Sequence, residues 1–398
     1  MAALAVSACW GGAAVADERG PIVVTEEALA LHREALLVDG HNDMPWEIRT
    51  QGSSDFTKLD ISVRQPTLQT DLVKAAEGGL DAQFWSVWVP ANLDGTGKAL
   101  ATTLEQIELV KLMLDRYPQR MELALTADDI ERVVREGRLA SLIGVEGGHC
   151  IEESLGTLRR LHDLGARYMT LTHGDTISWA DSGTDEPRHG GLTDFGREVV
   201  REMNRLGMMV DISHVSDDVM RQAIDVSTAP VIFSHSSARG VADHPRNAPD
   251  DVLRRLREKD GVVMVNFFSA FVVPAAAENY ATRFEMGREM DAAGVPEDEK
   301  RRRLGEWSAA NPMPRGTIHD LLDHIDHIAA VAGIQHVGIG SDYDGVSVLP
   351  AGLEDVTSYP RITQGMLDRG YTPDEIRGVL GENLLRVMRK VEAAADPR

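Results

Sequence analysis

Imidazole and carboxylate side chains recur in this sequence at the ends of short apolar runs. His41 and Asp43 stand two residues apart at the end of one run, so on a strand both side chains would point to the same face. Glu146, His214 and His235 each end a later run of the same kind. Such side chains can hold metal ions, because neutral imidazole and carboxylate are the ligands that suit zinc where thiolates are absent.

The size of this set indicates more than one metal ion. A single catalytic zinc takes three protein ligands and a water molecule, whereas two metals about 3.5–4 Å apart share a bridging carboxylate and a bridging hydroxide. Glu146 is the best candidate for the bridge, because its run lies between the run of the first pair and the runs of the two later histidines. The sequence therefore predicts two zinc ions per chain.

Other candidate groups have a competing structural explanation. His324 and His327 lie three residues apart and could share a metal, but a place on an amphipathic helix is favoured. Cys150 has no evident partner base, which argues against a thiol nucleophile.

The elements that must position these groups follow from hydrophobic periodicity. Apolar, β-branched runs alternate with helical patterns, and each run is almost continuously hydrophobic, which is typical of parallel strands buried on both faces. The predicted strands are Leu36–Asp43, Phe84–Val89, Leu139–Glu146, Ala166–His173, Met208–His214, Pro230–His235, Gly261–Phe267 and His336–Asp342. The predicted helices are Lys98–Arg116, Glu152–Leu164, Thr193–Leu206, Ser216–Val226, Pro249–Lys259, Thr317–Ala332 and Pro373–Val391.

Strands that alternate with helices in this way predict an α/β fold, a single (β/α)8 TIM barrel. Its active site would lie at the C-terminal ends of the strands, where the titratable side chains stand. The longest connection, residues 268–316, falls between the seventh and eighth predicted strands. Its charged stretch from Glu278 to Trp307 predicts a helical insertion over the catalytic face, which could act as a lid or a subunit contact.

The composition is that of a folded, acidic protein. Of 398 residues, 43% are hydrophobic and 26% are charged, and Lys and Arg total 41 against 63 Asp and Glu, a formal net charge of −22. A surface this acidic repels phosphate, which argues against nucleic acid or an anionic membrane as a partner. The two cysteines, Cys9 and Cys150, cannot form a cysteine-rich zinc site.

The N-terminal segment predicts export. Residues 1–16 carry no charge but are shorter than the roughly 20 apolar residues that a membrane span needs. The Ala14–Ala16 run resembles a signal-peptidase site and Cys9 a lipid-anchored cleavage site, although a basic n-region is missing. We expect a location in the periplasm or cell envelope, with a cytoplasmic protein as the alternative. Residues 17–398 are expected to form the single catalytic barrel domain.

The chain resembles the membrane (renal) dipeptidases, peptidase family M19, which are amidohydrolase-like metal-dependent hydrolases. The resemblance runs from about residue 30 to about residue 390, nearly the whole chain. The matching stretches are Val38–Asp43, Ile143–His149, Thr170–His173, Trp179–Asp181, Asp211–Ser216, Phe233–Ser236, His244–Asn247 and Gly340–Gly345.

This resemblance implies a zinc-dependent metallodipeptidase that hydrolyses the peptide bond of a dipeptide by attack of a metal-bridging hydroxide. His41 and Asp43 would hold one zinc, with Glu146 as the bridge to the second. The second zinc would be held by His214 and His235. The family also suggests a homodimer, and no other protein partner is evident.

The resemblance also assigns groups that act on the substrate. The position of His173 would polarise the substrate, and that of Arg246 would bind its carboxylate. Asp342 would handle the proton of the attacking water and the leaving amine. Mammalian relatives carry a tyrosine at the position matching Phe268, so any substrate contact through that hydroxyl is absent from this position.

Two other functions compete with this interpretation. Barrel lactonases and deaminases commonly use a His-x-His pair on the first strand and often a bridging lysine, whereas this chain has His41-Asn42-Asp43 and no lysine at a predicted strand end. A non-catalytic metal-binding relative would be expected to have lost Asp342 or a ligand, and none is lost.

Overall fold

The structure is a computed structural model that describes residues 19–396. The cleavage sites expected at Ala14–Ala16 and at Cys9 lie outside the described residues. Within the described part of the chain, no helix is long and apolar enough to cross a membrane.

The described strands form one parallel sheet that closes on itself. They are β1 (Val38–Asn42), β2 (Ala82–Trp88), β3 (Met121–Leu123), β4 (Leu139–Glu146), β5 (Ala166–Thr170), β6 (Met209–Asp211), β7 (Val231–Phe233), β8 (Val262–Val265) and β9 (Val337–Ile339). β2 pairs with both β1 and β4, and β9 pairs with β1, so that eight of the nine strands form a closed barrel. The predicted (β/α)8 barrel of the α/β class is confirmed.

The sequence analysis missed β3, which is an addition to the barrel. It pairs with the first residues of β4, Leu139–Ser141, while β5 pairs with the residues that follow in the same strand. Only Met121 of β3 is buried, so the strand lacks the continuous apolar pattern by which the others were recognised.

Helices surround the barrel. They are α1 (Glu26–Glu34), α2 (Met44–Thr50), α3 (Leu72–Glu77), α4 (Ala99–Arg116), α5 (Ala127–Arg135), α6 (Leu155–Asp163), α7 (Asp194–Leu206), α8 (Asp217–Val226), α9 (Asp250–Glu258), α10 (Ser269–Val272), α11 (Pro274–Ala292), α12 (Glu297–Ala310), α13 (Ile318–Ala332), α14 (Tyr359–Asp368), α15 (Pro373–Arg377) and α16 (Asn383–Ala394). Short 3₁₀ turns cover Ala91–Leu93, Gly148–Ile151, Ile334–His336 and Val356–Ser358.

Local chemistry fixes the helix ends. The hydroxyl of Thr193 accepts a hydrogen bond from the amide of Gly196 at the start of α7, and Ser216 caps α8 through Val219 in the same way. α7 ends at Gly207, whose φ of 71° is a left-handed conformation that glycine adopts without a steric penalty.

The predicted C-terminal helix is divided in the structure. A π-helical turn, Gly378–Glu382, separates α15 from α16. A Cβ atom on Gly381 would lie 2.4 Å from the carbonyl oxygen of Leu36, so the turn packs closer to the start of β1 than a larger residue would allow.

Several strands end before the titratable side chains that were predicted to close them. β6 ends at Asp211 rather than at His214, and β9 ends at Ile339 rather than at Asp342. His214 and Asp342 have φ values of 68° and 63°, a left-handed backbone that cannot continue a strand. These side chains therefore lie on tight turns just beyond the strands.

A buried carboxylate joins the first barrel strand to the last. Asp39 accepts hydrogen bonds from the amide of Ser341 at 2.9 Å and from the amide of His41 at 3.1 Å. The hydroxyls of Ser341 and Tyr359 donate to its other oxygen. The turn after β1 and the turn after β9 are thus fixed to one side chain.

The predicted insertion is helical and lies between β8 and β9. It comprises α10, α11 and α12, and the predicted stretch from Glu278 to Trp307 is divided between α11 and α12 at Gly294 (φ 67°) and Pro296. Arg288 of α11 forms an ion pair with Glu186, on the loop after β5. The insertion is therefore tied to a second loop at the same end of the barrel.

At the opposite end of the barrel, Asp81 precedes β2 and accepts the amide hydrogen of Leu37 at 2.9 Å. Burial raises the pKa of Asp81 to about 6, above its ordinary value of 3.8. The folded protein therefore holds this proton more tightly than the unfolded chain, and the free energy of unfolding falls as the pH rises between these two values.

We expect Asp81→Asn to match the wild type near pH 4 and to be more stable by about 1–3 kcal/mol above pH 7. Asparagine keeps an oxygen for the Leu37 amide but carries no charge to bury. Urea denaturation across this pH range measures the difference. Glu258→Gln, which removes an exposed charge, should show no such pH dependence; an Asp81→Asn effect of equal size at pH 4 and pH 8 would contradict the assignment.

Candidate active site

The carboxylate of Glu146, at the end of β4, lies between two sets of side chains. Its Oε2 atom is 3.4 Å from Nε2 of His41, and that nitrogen is 3.3 Å from Oδ2 of Asp43. Its Oε1 atom is 3.0 Å from Nε2 of His214 and 3.4 Å from Nε2 of His235. The two oxygens thus face different partners.

Glu146 is 3% exposed, and Ser86 on β2 donates a hydrogen bond of 3.1 Å to its Oε2 atom. Although burial opposes ionisation, the imidazoles around it hold the pKa of Glu146 well below its usual value. Burial lowers the pKa of His214 and of His235 well below the usual histidine value. The cluster thus combines an ionised carboxylate with two neutral rings.

A hydrogen-bond relay determines the tautomer of His41. The hydroxyl of Tyr168, on β5, can donate to the carbonyl oxygen of Gly40 at 3.2 Å. Its oxygen then accepts the Nδ1 hydrogen of His41 at 2.8 Å. The Nε2 atom of His41 is left facing Glu146 and Asp43, with no hydrogen-bond partner among the described residues. Although burial opposes it, the neighbouring Tyr168, Glu146 and Asp43 raise the pKa of His41 well above its usual value, so a metal ion at this nitrogen would replace a proton.

A second relay determines the tautomer of His235. The carboxylate of Asp211 accepts the hydroxyl hydrogen of Ser234 at 2.6 Å, and Ser234 in turn accepts the Nδ1 hydrogen of His235 at 2.7 Å. Its Nε2 lone pair can then accept the Nε2 hydrogen of His214 at 2.9 Å. The same two nitrogens could bind one cation in place of that shared hydrogen.

These donors fit metal ions, which are bound by neutral imidazole nitrogen and by carboxylate oxygen. Three groups have ligand atoms within 4.8 Å of one another: His41 with Glu146 and His235, Glu146 with His173 and His214, and His41 with Asp43 and Asp342. The groups overlap in one continuous cluster. The pairing predicted from the sequence, with Glu146 between two ligand pairs, is compatible with this cluster and stays a prediction.

Asp342 lies on the turn after β9, in the same group of candidate ligands as His41 and Asp43. Its Oδ2 atom accepts a hydrogen bond of 2.8 Å from Asn266, and burial raises the pKa of Asp342 to about 7. A Cβ atom on Gly345 would lie 2.6 Å from Oδ1 of Asp342 and 2.2 Å from Oδ2 of Asp43. Glycine at that position allows the two carboxylates to lie close together.

Arg246 is buried beside the cluster, at 2% exposure. Its Nη1 donates to the hydroxyl of Ser236 and its Nη2 to the carbonyl oxygen of His235, both at 3.1 Å. The guanidinium carbon lies 5.0 Å from the centre of the Phe271 ring. These contacts hold the cation in one orientation at the edge of the cavity.

A cavity of about 380 Å³ opens over these groups, within the size range of small-molecule sites. The sequence-predicted residues that line it are Asp43, Glu146, His173, His214, His235, Arg246 and Asp342, while His41 lies beneath them. The structure therefore brings all of the predicted site residues together.

Apolar lining residues were missed by the sequence analysis. Trp46 and Trp88 meet edge to face, with ring centres 4.6 Å apart, and Phe271 and Tyr280 come from the insertion. Trp88 ends β2, so its place at a strand end could have indicated it. Nothing in the sequence pattern distinguished Phe271 and Tyr280 from other residues of the insertion.

The competing groups have structural roles. Cys150 is fully buried, which raises the pKa of its thiol to about 12, and it is not among the described residues that line the cavity. His324 accepts the amide hydrogen of Ala238 and donates to the carbonyl oxygen of Val272, whereas His327 pairs with Asp250. The two histidines thus have separate partners.

Removing the Tyr168 hydroxyl should weaken metal binding. We expect Tyr168→Phe to lower metal affinity by about 10- to 100-fold, because the tautomer of His41 is no longer determined. Gly144→Ala should act similarly, since a Cβ there would lie 2.0 Å from the Tyr168 ring. Zinc competition with a chromogenic chelator measures the affinity.

Tyr117→Phe is the matched control, because that hydroxyl donates to Asp60 away from the cluster. Its metal affinity should equal that of the wild type. Unchanged zinc affinity in Tyr168→Phe would show that the hydroxyl does not orient His41.

Comparisons with known proteins identify the family. A family model described as membrane dipeptidase (peptidase family M19) matches residues 25–398. Dipeptidase 3 of Mus musculus is 40% identical over 377 residues, covering 93% of this chain and 67% of that protein. An uncharacterized dipeptidase of Schizosaccharomyces pombe is 40% identical over 369 residues, covering 89% of this chain and 81% of that protein.

Solved structures share the fold. The probable dipeptidase PvdM of Pseudomonas aeruginosa is 24% identical with a TM-score of 0.82, covering 93% of this chain and 98% of that one. A metallo peptidase of Rhodobacter sphaeroides, liganded with a phosphinate mimic of the dipeptide L-Ala-D-Ala, is 24% identical with a TM-score of 0.74, covering 90% and 99%. By its sequence match over residues 25–398 and its 40% identity to these dipeptidases, the chain belongs to the membrane dipeptidase family, peptidase family M19.

Proposed function

We propose that this protein is a binuclear zinc dipeptidase that hydrolyses the peptide bond of free dipeptides. The observation that carries the proposal is the environment of Glu146, whose two oxygens lie 3.4 Å from His41 and 3.0 Å from His214 on separate sides. A carboxylate in this position suits a bridge between two cations. The names of the relatives, both dipeptidases, support the choice of substrate.

The ligands of the two zinc ions would be His41, Asp43, Glu146, His214 and His235. When bound, zinc at this cluster would supply Lewis acidity and a hydroxide nucleophile from water near neutral pH. Each ion would then have three protein ligands, with the bridge counted for both, which leaves room for water as catalytic sites require.

The cavity also offers groups that can bind the carboxylate and the carbonyl oxygen of a dipeptide. Arg246 presents a fixed guanidinium, which suits the planar carboxylate of a dipeptide. His173 lies 3.8 Å from Glu146 and its ring meets that of Trp88 edge to face, so it borders the place where a carbonyl oxygen would lie. Burial lowers the pKa of His173, and its neutral ring would donate a hydrogen bond to the oxygen that becomes negative during attack.

Asp342 would carry a proton from the attacking water to the leaving amine. Its place next to Asp43, and the hydrogen bond from Asn266, keep one carboxylate oxygen fixed while the other faces the cluster. A carboxylate between nucleophile and leaving group is suited to act first as a base and then as an acid.

The alternative activities have less support. A lactonase or deaminase with a bridging lysine is disfavoured, because no lysine is among the described residues that line the cavity. A non-catalytic role is disfavoured because every proposed catalytic group lies at the cavity. Export to the cell envelope and assembly as a homodimer stay predictions from the sequence.

The proposal is tested with the full chain by zinc counting and by hydrolysis of a dipeptide library that includes L-D pairs. We expect about two zinc ions per chain, activity that is lost with a chelator and restored by zinc, and slower cleavage of C-terminal amides, which Arg246 cannot bind as carboxylates. Absence of dipeptide hydrolysis by the zinc-loaded protein would refute the proposal, and lactone hydrolysis instead would favour the alternative.

Asp342→Asn distinguishes a proton carrier from a metal ligand. We expect kcat to fall by about 10²–10⁴-fold while about two zinc ions stay bound, because Asp342 transfers a proton and the other side chains already hold the metals. Metal analysis of the purified variant gives the zinc content. A content of about one zinc per chain would instead make Asp342 a ligand, as its grouping with His41 and Asp43 allows.

A further inference from the structure

One phenol from the insertion borders the cavity. Tyr280 lies on α11 and lines the cavity together with Phe268 and Phe271. Its ring centre is 6.0 Å from that of Phe268 and 6.4 Å from that of Phe271, in edge-to-face contacts. The ring of Phe284 stacks on it from within the same helix at 6.3 Å. The aromatic ring of Tyr280 is therefore fixed by packing.

The hydroxyl of Tyr280 is not used in that packing. Within the described part of the chain it makes no hydrogen bond. Phenylalanine at this position would make the same ring contacts, so packing alone does not explain the hydroxyl.

The hydroxyl lies near the cation that is proposed to bind the substrate carboxylate. The Tyr280 ring is 5.3 Å from the ring of His244, two residues before Arg246, and the Phe271 ring lies against both Tyr280 and the Arg246 guanidinium. Burial raises the pKa of Tyr280, and the charges of Arg283 and Arg246 oppose that rise without reversing it. At neutral pH the group is a phenol that can donate a hydrogen bond.

Phe268 lines the same cavity but offers no such donor, because it has no hydroxyl. Tyr280 is therefore the only tyrosine among the described residues that line the cavity. A carboxylate has two oxygens with several acceptor positions, and one guanidinium does not use all of them. A second donor next to Arg246 would therefore find an acceptor on a bound dipeptide.

We propose that Tyr280 is a specificity-determining residue that donates its hydroxyl hydrogen to the substrate carboxylate bound by Arg246, and so supplies from the insertion the hydroxyl that Phe268 lacks. The inference rests on the proposed dipeptidase function. It gives the insertion a direct part in recognising the C-terminal end of the substrate.

The test is Tyr280→Phe in the zinc-loaded full chain, assayed on the dipeptide that the wild type cleaves best. We expect KM to rise by about tenfold or more, because a hydrogen bond to a charged group is lost, while kcat stays within about threefold. Zinc content should stay the same. Tyr371→Phe, which removes a hydroxyl bonded to Asp326 away from the cavity, should leave KM unchanged.

A second variant tests whether the two positions are interchangeable. Adding Phe268→Tyr to Tyr280→Phe should lower KM again, because a hydroxyl returns to the same cavity wall. A KM within twofold of the wild type in Tyr280→Phe would overturn the proposal, as would a double variant with no recovery. If the wild type cleaves no dipeptide, the proposed function itself fails; an active wild type with an unaffected Tyr280→Phe variant refutes this inference alone.

Discussion

Burial of an ionised carboxylate at the mouth of the barrel is the constraint on which the rest of the site depends. Glu146 is 3% exposed, and a charge in that position is tolerated only where hydrogen-bond donors or cations compensate it. Ser86 supplies one donor. The other neighbours are histidines, of which His214 and His235 stay neutral because burial lowers their pKa. The remaining compensation comes from His41, whose pKa is raised well above its usual value by the neighbouring Tyr168, Glu146 and Asp43 although burial opposes this. Metal cations held between these rings and the carboxylate would take over that role.

Two buried aspartates position the candidate ligands through the same pattern of hydrogen bonds. Asp39 accepts the amide two residues ahead of it, together with the amide and hydroxyl of Ser341. Asp211 accepts the amide two residues ahead of it, together with the amide and hydroxyl of Ser234. In each case the serine directly precedes a site residue, Asp342 or His235. Turn geometry at two places around the cluster is therefore set by carboxylates that are not among the candidate metal ligands.

The sequence predicted the barrel and the place of the titratable side chains at one end of it, because parallel buried strands leave continuous apolar runs and polar residues stand out after them. It placed the ends of β6 and β9 too late, since side-chain hydrogen bonds and left-handed turns do not alter hydrophobicity. Tyr168 was not recognised because its hydroxyl acts from within β5, where a tyrosine is indistinguishable from a core aromatic. Tyr280 was missed because only the fold of the insertion brings it to the cavity.

The bond between Asp39 and Ser341 also bears on the order of events during synthesis. The cluster takes its first side chain from residue 41 and its last from residue 342, and the strands that carry them become neighbours only when β9 docks against β1. A nascent chain that lacks its last barrel strand already holds the five proposed metal ligands, but it lacks Asp342 and the hydrogen bonds from Ser341 to Asp39. The proposed proton carrier is therefore the last group to join the site, and it arrives in the same step that closes the barrel.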